Sequence, residues 1–238
     1  MNRLALIVFR NILKIPGLYA KLCHYAKHTV KYPEAEKWKH IQHIMQLAAG
    51  SANVDLQVYG KANIPAGGGF MLYGNHQGMF DVVAIAATCN TPLGIVYKKE
   101  LKSVPLLKQI YVCTKYFSMD REDVRQSLTV IQAVTKEVQS GRNYVIFPEG
   151  TRSRNVNQMG EFHRVSFRCA MKAKCPIIPL AFIDSFEVLD QKGSKPVTVQ
   201  LHYLTPIPYE EYAGMKTVEI ADLVKSRIQQ AMDSYIAN

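Results

Sequence analysis

From residue 54 onward, seven short runs with strand character alternate with segments of helical periodicity, and this alternation constrains the fold more than any other feature. The strand candidates are "VDLQVYG" (54–60), "FMLYG" (70–74), "LGIVY" (93–97), "YFSMD" (116–120), "YVIFP" (144–148), "PIIPLAF" (176–182) and "VTVQLHY" (197–203). Helical patterns fall between and after them, at 82–88, 101–111, 122–140, 162–173 and 217–235. The clearest is 122–140, where Val124, Leu128, Ile131, Val134 and Val138 share one face and Gly141 stands at the end. Strands alternating with helices predict an α/β protein with a mixed, largely parallel sheet flanked by helices. No internal repeat or low-complexity tract interrupts the pattern, so residues 51–238 read as one domain.

Residues 1–50 have a different character. They carry eight Lys/Arg and two Glu, a net +6, in a chain whose total formal charge is +10. A basic segment suits an anionic membrane surface, nucleic acid or an acidic partner. Arg3, Arg10, Lys14 and Lys21 step by 7, 4 and 7 residues, returning to nearly the same helical angle. They form a stripe opposite Leu4, Ile7, Val8 and Leu13, with Pro16 set to kink or end the first helix. Pro33 to Ala49 reads as a second helix with Trp38, Ile41, Met45 and Ala48 on one face. The expectation is a two-helix segment over 1–50 that lies in the membrane interface. The charges leave no apolar run of about 18 residues for a spanning helix, and no cleavage site follows the first apolar stretch. Basic residues sit beside aliphatics with little aromatic interleaving, which argues against nucleic acid as a partner. Five scattered cysteines, never in C-x-x-C, fit a reducing compartment and neither a disulfide framework nor a thiolate zinc site.

Two polar clusters follow strands. In "GNHQGMFD" (74–81) a His and an Asp five residues apart flank the seam between a strand and a helix. On one continuous helix that spacing separates the side chains by roughly 140°. They meet only if His76 lies in the loop and Asp81 in the first helical turn. Asp81 could then fix the imidazole tautomer and leave the other ring nitrogen to take a proton from a hydroxyl. The same residues also read as a loop histidine and a helix-capping aspartate. In "FPEGTRSR" (147–154) a strand runs into Glu149, Gly150, Thr151 and Arg152, a tight turn bearing a hydroxyl and a bidentate cation suited to phosphate. Lys98 and Arg121 follow two further strands and could converge on the same rim. Nucleophile-elbow, P-loop, zincin and dinucleotide motifs do not occur.

These blocks resemble the glycerolipid acyltransferases, the family of 1-acylglycerol-3-phosphate and glycerol-3-phosphate acyltransferases. "NHQGMFD" resembles the family's Asn-His-x4-Asp motif. "YKKELKSVPLLKQIYVCTKYFSMDR", "FPEGTRSR" and "CPIIPLAF" follow in the family's order, so the resemblance spans roughly residues 54–205. It implies transfer of a fatty acyl group from an acyl thioester, on acyl carrier protein or coenzyme A, to the free hydroxyl of lysophosphatidate, giving phosphatidate. His76 would act as general base, oriented by Asp81. Glu149, Gly150, Thr151 and Arg152, with Lys98 and Arg121, would form the acceptor and phosphate site. The resemblance implies no cofactor, no metal and no covalent acyl-enzyme, and a peripheral protein on the cytoplasmic face of the membrane. Two positions depart from the family. Gly78 stands where Ser is common, and "FHRV" (162–165) stands where Phe-Lys-x-Gly is common, placing Val165 at the glycine and His163 and Arg164 near the cation. The alternatives are another acceptor, such as glycerol-3-phosphate or a different lysolipid; a metal-dependent phosphoesterase with His76, Asp81 and Glu149 as ligands; and a non-catalytic lipid-binding protein.

Overall fold

A computed structural model of the chain describes residues 2–101, 103–119, 123–153 and 157–236. In order the elements are α1 (Arg3–Asn11), α2 (Ile15–Lys27), α3 (Glu34–Gly50), β1 (Val54–Tyr59), β2 (Met71–Gly74), α4 (Phe80–Thr88), β3 (Leu93–Lys98) and α5 (Leu107–Thr114). They continue with β4 (Phe117–Met119), α6 (Val124–Gln139), β5 (Asn143–Ile146), α7 (Arg168–Ala173), β6 (Ile177–Ile183), α8 (Phe186–Leu189), β7 (Val197–Tyr203), α9 (Tyr209–Tyr212) and α10 (Thr217–Ile236).

The seven strands form one sheet in the order β1-β7-β6-β2-β5-β3-β4. β6, β2, β5, β3 and β4 run parallel, whereas β7 is antiparallel to β6 and carries β1 alongside it. The central strands β2, β5 and β6 are buried along their whole length because both faces of the sheet are covered there, whereas β1 and β7 alternate apolar and polar residues. Leu72, Val145 and Ile178 pack with α3 and α4, while Met71, Tyr73, Tyr144 and Ile146 pack with α6, α7 and α10. The mixed, largely parallel α/β architecture is the one the alternating pattern predicts.

The central register positions the site. Tyr73 in β2 sits level with Ile146 in β5 on one side and Pro179 in β6 on the other. His76 and Glu149 each lie three residues past a paired position, so both leave the sheet at the same height. In open α/β sheets this carboxyl edge is where ligand sites form.

The N-terminal fifty residues hold three helices rather than two. The first pair breaks at residues 12–14, and Pro16 stands in the first turn of α2, where its missing N–H costs no bond. α3 belongs to the α/β body. It buries Trp38 and Ile41, and Trp38, Gln42 and Gln46 donate to the carbonyls of Cys89 and Ala87 at the end of α4 (2.8–3.1 Å). That supplies partners to carbonyls a helix end otherwise leaves open.

The basic stripe divides its work, with Arg3 and Arg10 bonded to the body and Lys14 and Lys21 exposed. Arg3 is only 4% exposed and donates to the carbonyls of Glu187, Val188 and Lys195. Arg10 donates to Ser51 O (3.1 Å) and Asn53 Oδ1 (2.6 Å). These arginines anchor α1 to the body, because a guanidinium fork satisfies several carbonyls at once. The outward face is apolar: Leu13 is 94% exposed and Phe9 70%, with Leu4, Val8 and Ile12 beside them. Among the described residues no helix is long and apolar enough to cross a membrane.

Candidate active site

Each of the three central strands contributes one turn to the site. β2 delivers Asn75 to Met79, β5 delivers Phe147 to Ser153, and β6 delivers Asp184 to Asp190 through α8. The first turn folds back so that His76 and Asp81 meet. His76 Nδ1 lies 2.7 Å from Asp81 Oδ2, with the aspartate wholly buried and the histidine side chain 18% exposed. The imidazole rests on the Phe147 ring, centroids 4.2 Å apart and planes 24° apart. Its edge is thereby fixed as well as its nitrogen. Among the described residues no hydrogen bond is made to Nε2.

Asp81 does more than meet the histidine. Oδ2 also accepts from Gln77 N (2.8 Å) and Gly78 N (3.1 Å), and Oδ1 accepts from Ser185 Oγ. Standing in the first turn of α4, the carboxylate also meets the positive end of that helix. With four donors around it, it cannot rotate without leaving a buried group unpaired. Ser185 is positioned in turn by Gln77, whose Oε1 accepts from its N–H (3.0 Å).

The β5 turn holds the histidine backbone from the other side. Glu149 Oε1 accepts His76 N–H (2.7 Å), Oε2 accepts Gly160 N–H (2.8 Å), and Ser153 N donates to His76 O (2.7 Å). Burial raises the Glu149 carboxyl above its ordinary range, opposed by the two N–H donors. Gly150 takes φ of 72°, the left-handed conformation that lets the strand turn at once after Glu149.

The predicted site residues thus fall into distinct places. His76, Asp81, Glu149 and Gly150 come together at the sheet edge. Thr151 lines a cavity of about 310 Å³ with Glu149, Ser153, Gly160, Glu161 and His163. Arg152 turns away from that cavity and forms an ion pair with Asp190. The side chain of Lys98, at the end of β3, and the whole of Arg121 lie outside the described residues. A metal-ligand role for the two carboxylates fits poorly, since their oxygens are already committed to N–H and hydroxyl donors. Val165 is exposed in a short 3₁₀ turn with negative φ, so nothing there requires glycine.

Sequence reasoning missed Ser185, Gln77, Phe147 and Asp190. The one trace was Gly78. A Cβ at that position would lie 2.6 Å from Asp190 Oδ2 and 3.0 Å from Phe186 Cα. The glycine admits α8 against the histidine turn; a serine would displace it.

The carboxyl ends of the central strands of this α/β sheet thus carry a histidine held by a buried carboxylate, an arrangement chemically capable of acid–base work. The chain belongs to the Acyltransferase family, whose model matches residues 55–183. It is 29% identical over 157 residues to the 1-acyl-sn-glycerol-3-phosphate acyltransferase of Salmonella typhimurium, covering 66% of this chain and 64% of that protein. A probable 1-acyl-sn-glycerol-3-phosphate acyltransferase of Mycoplasma pneumoniae is 24% identical over 218 residues, covering 86% of this chain and 81% of the relative. The match thus spans somewhat less than two thirds of the Salmonella relative's length. The fold matches the crystal structure of PlsC, the 1-acyl-sn-glycerophosphate acyltransferase of Thermotoga maritima, with a TM-score of 0.70 at 20% identity. That alignment covers 97% of this chain and 99% of PlsC.

Proposed function

We propose that the chain transfers a fatty acyl group from an acyl thioester, on acyl carrier protein or coenzyme A, to the free hydroxyl of lysophosphatidate, giving phosphatidate. The observation that carries this reading is the His76 Nδ1–Asp81 contact at 2.7 Å, with no hydrogen bond to Nε2 among the described residues. Nε2 takes the proton from the sn-2 hydroxyl as its oxygen attacks the thioester carbonyl. The resulting imidazolium lies against the Asp81 carboxylate, which compensates the new charge. Collapse of the tetrahedral intermediate breaks the carbon–sulfur bond, and the thiolate recovers the proton from Nε2. The products are the ester and a free thiol, with no group consumed.

Family membership and the names of the relatives support the acceptor. The cavity beside Glu149 gives a place for part of it, and Arg152, with Lys98 and Arg121, supplies cations for its phosphate. The five free cysteines fit the reducing, cytoplasmic side of a membrane. α1 and α2 supply the docking face, through the outward Leu4, Val8, Phe9, Ile12 and Leu13 with Lys14 and Lys21 beside them. Each such side chain taken from water contributes about 1.5–3 kcal/mol, and each lysine near an anionic leaflet about 1 kcal/mol.

The function is tested by offering purified protein lysophosphatidate and glycerol-3-phosphate with each thioester donor. Lysophosphatidate is expected to be acylated fastest; equal or faster acylation of glycerol-3-phosphate would replace the acceptor. Docking is tested by co-sedimentation with vesicles of phosphatidylglycerol and phosphatidylethanolamine. Phe9→Glu with Leu13→Glu should lower the bound fraction at least tenfold, and unchanged binding would refute the docking face.

A further inference from the structure

We propose that Asp190 is a specificity-determining residue that holds Arg152 in reserve and is displaced from it by the acceptor's phosphate. The inference rests on the reading that Arg152 receives that phosphate, and it names how access to the arginine is controlled.

Three observations converge on the Asp190 carboxylate. One oxygen pairs with Arg152 Nη1, the other accepts Met79 N–H at 2.8 Å. A single side chain therefore ties the turn carrying Arg152 to the turn carrying His76 and Asp81. The approach is possible only because position 78 lacks a side chain, since a Cβ there would fall 2.6 Å from Asp190 Oδ2. The departure at Gly78 and the acid at 190 are thus two halves of one arrangement.

The consequence for binding is electrostatic. An arginine already paired to a carboxylate offers an incoming phosphate less than a free one, and the carboxylate itself repels the anion. Arg152 is 43% and Asp190 24% exposed at the side chain, so the pair is solvent-screened and readily exchanged. An acceptor with a dianionic phosphate can open it; a neutral acceptor cannot. Between visits of substrate, the second Asp190 oxygen keeps the histidine turn in place through Met79.

The experiment compares Asp190→Asn, Asp190→Ala and Arg152→Ala in steady-state acyl transfer to lysophosphatidate and to monoacylglycerol. Asparagine keeps an oxygen for Met79 N–H but removes the charge that holds Arg152. Asp190→Asn is expected to lower KM for lysophosphatidate about two- to fivefold, the range of an exposed ion pair. It should leave KM for monoacylglycerol unmoved, a split that a purely structural role would not produce. Asp190→Ala should lower kcat as well, because Met79 N–H loses its acceptor. Arg152→Ala should raise KM for lysophosphatidate alone. If Arg152→Ala raises KM but Asp190→Asn leaves it unchanged or raises it, the reserve role of Asp190 is overturned while the arginine's role stands. If Arg152→Ala leaves KM unmoved, the arginine reading fails and the proposal with it. Should Asp190→Asn unfold by circular dichroism, Asp190→Ser, which also removes the charge, takes its place, and an unchanged or raised KM for lysophosphatidate there overturns the reserve role.

Discussion

Among the described residues two histidines, His76 and His202, stack face to face on aromatic rings, and they have opposite fates. His76 lies on Phe147 at the carboxyl edge of β2 and pairs with Asp81. His202 lies in β7 near the far edge of the sheet, packed against both Tyr59 (4.5 Å) and Tyr235 (4.0 Å), whose rings lie 5.9 Å from each other. Its Nε2 meets only the neutral Gln200 Oε1, at 2.9 Å. Burial without a carboxylate pushes His202 down to about 4, so it stays neutral and serves packing. A stack therefore orients a ring but does not make a base. The carboxylate, and a place at the carboxyl ends of the central strands, separate the two.

Altering the carboxylate should have the larger effect. Asp81→Asn places an amide where Nδ1–H, Gln77 N–H, Gly78 N–H and Ser185 Oγ all need an acceptor. Transfer should fall by about 10²–10⁴-fold in single-turnover assays, the usual span for losing an oriented base. A loss under tenfold would make Asp81 a mere helix cap. Ser185→Ala is a gentler version. It leaves Asp81 Oδ1 without its hydroxyl donor, which should cost about 1–3 kcal/mol of stability by urea unfolding and lower kcat roughly tenfold. A stability loss with unchanged kcat would show that Ser185 supports the fold but not the base.

The other histidine should show itself only through pH. His202 titrates at about 4 in the folded chain and at its ordinary 6.5 when unfolded. Below 6.5 the unfolded state takes up a proton that the native state refuses. His202 therefore contributes stability present above 6.5 and lost as pH falls toward 4. His202→Phe keeps the stack and removes the proton site. Its stability relative to wild type should rise by on the order of 2–3 kcal/mol between pH 7 and 4, with transfer at pH 7 near normal. A parallel pH dependence in both proteins would contradict the assignment.

The strands and most helices were legible because each side of a doubly covered sheet demands apolar residues at known periods. The strand-end location of His76 and Glu149 followed directly from those runs. That Arg3 and Arg10 anchor α1 was not legible, since helical angle says which residues share a face but not which of them meet the body. Arg3 and Arg10 found carbonyls on segments 40 to nearly 190 residues distant. Ser185 and Asp190 were hidden for the same reason. They are ordinary polar residues at the two ends of a single helical turn, 104 and 111 residues from Asp81 and Met79, and Asp190 is 38 from Arg152. Gly78 stood out in the sequence only as a departure from the family, and the fold supplies its reason, the close approach of α8 and Asp190.

The central claim is that His76 removes the proton from the acceptor hydroxyl. The direct measurement is the single-turnover rate of acyl transfer to lysophosphatidate for His76→Ala against wild type, with folding matched by circular dichroism. The account predicts a loss of about 10²–10⁴-fold with acceptor binding retained. Transfer within a few fold of wild type would contradict it.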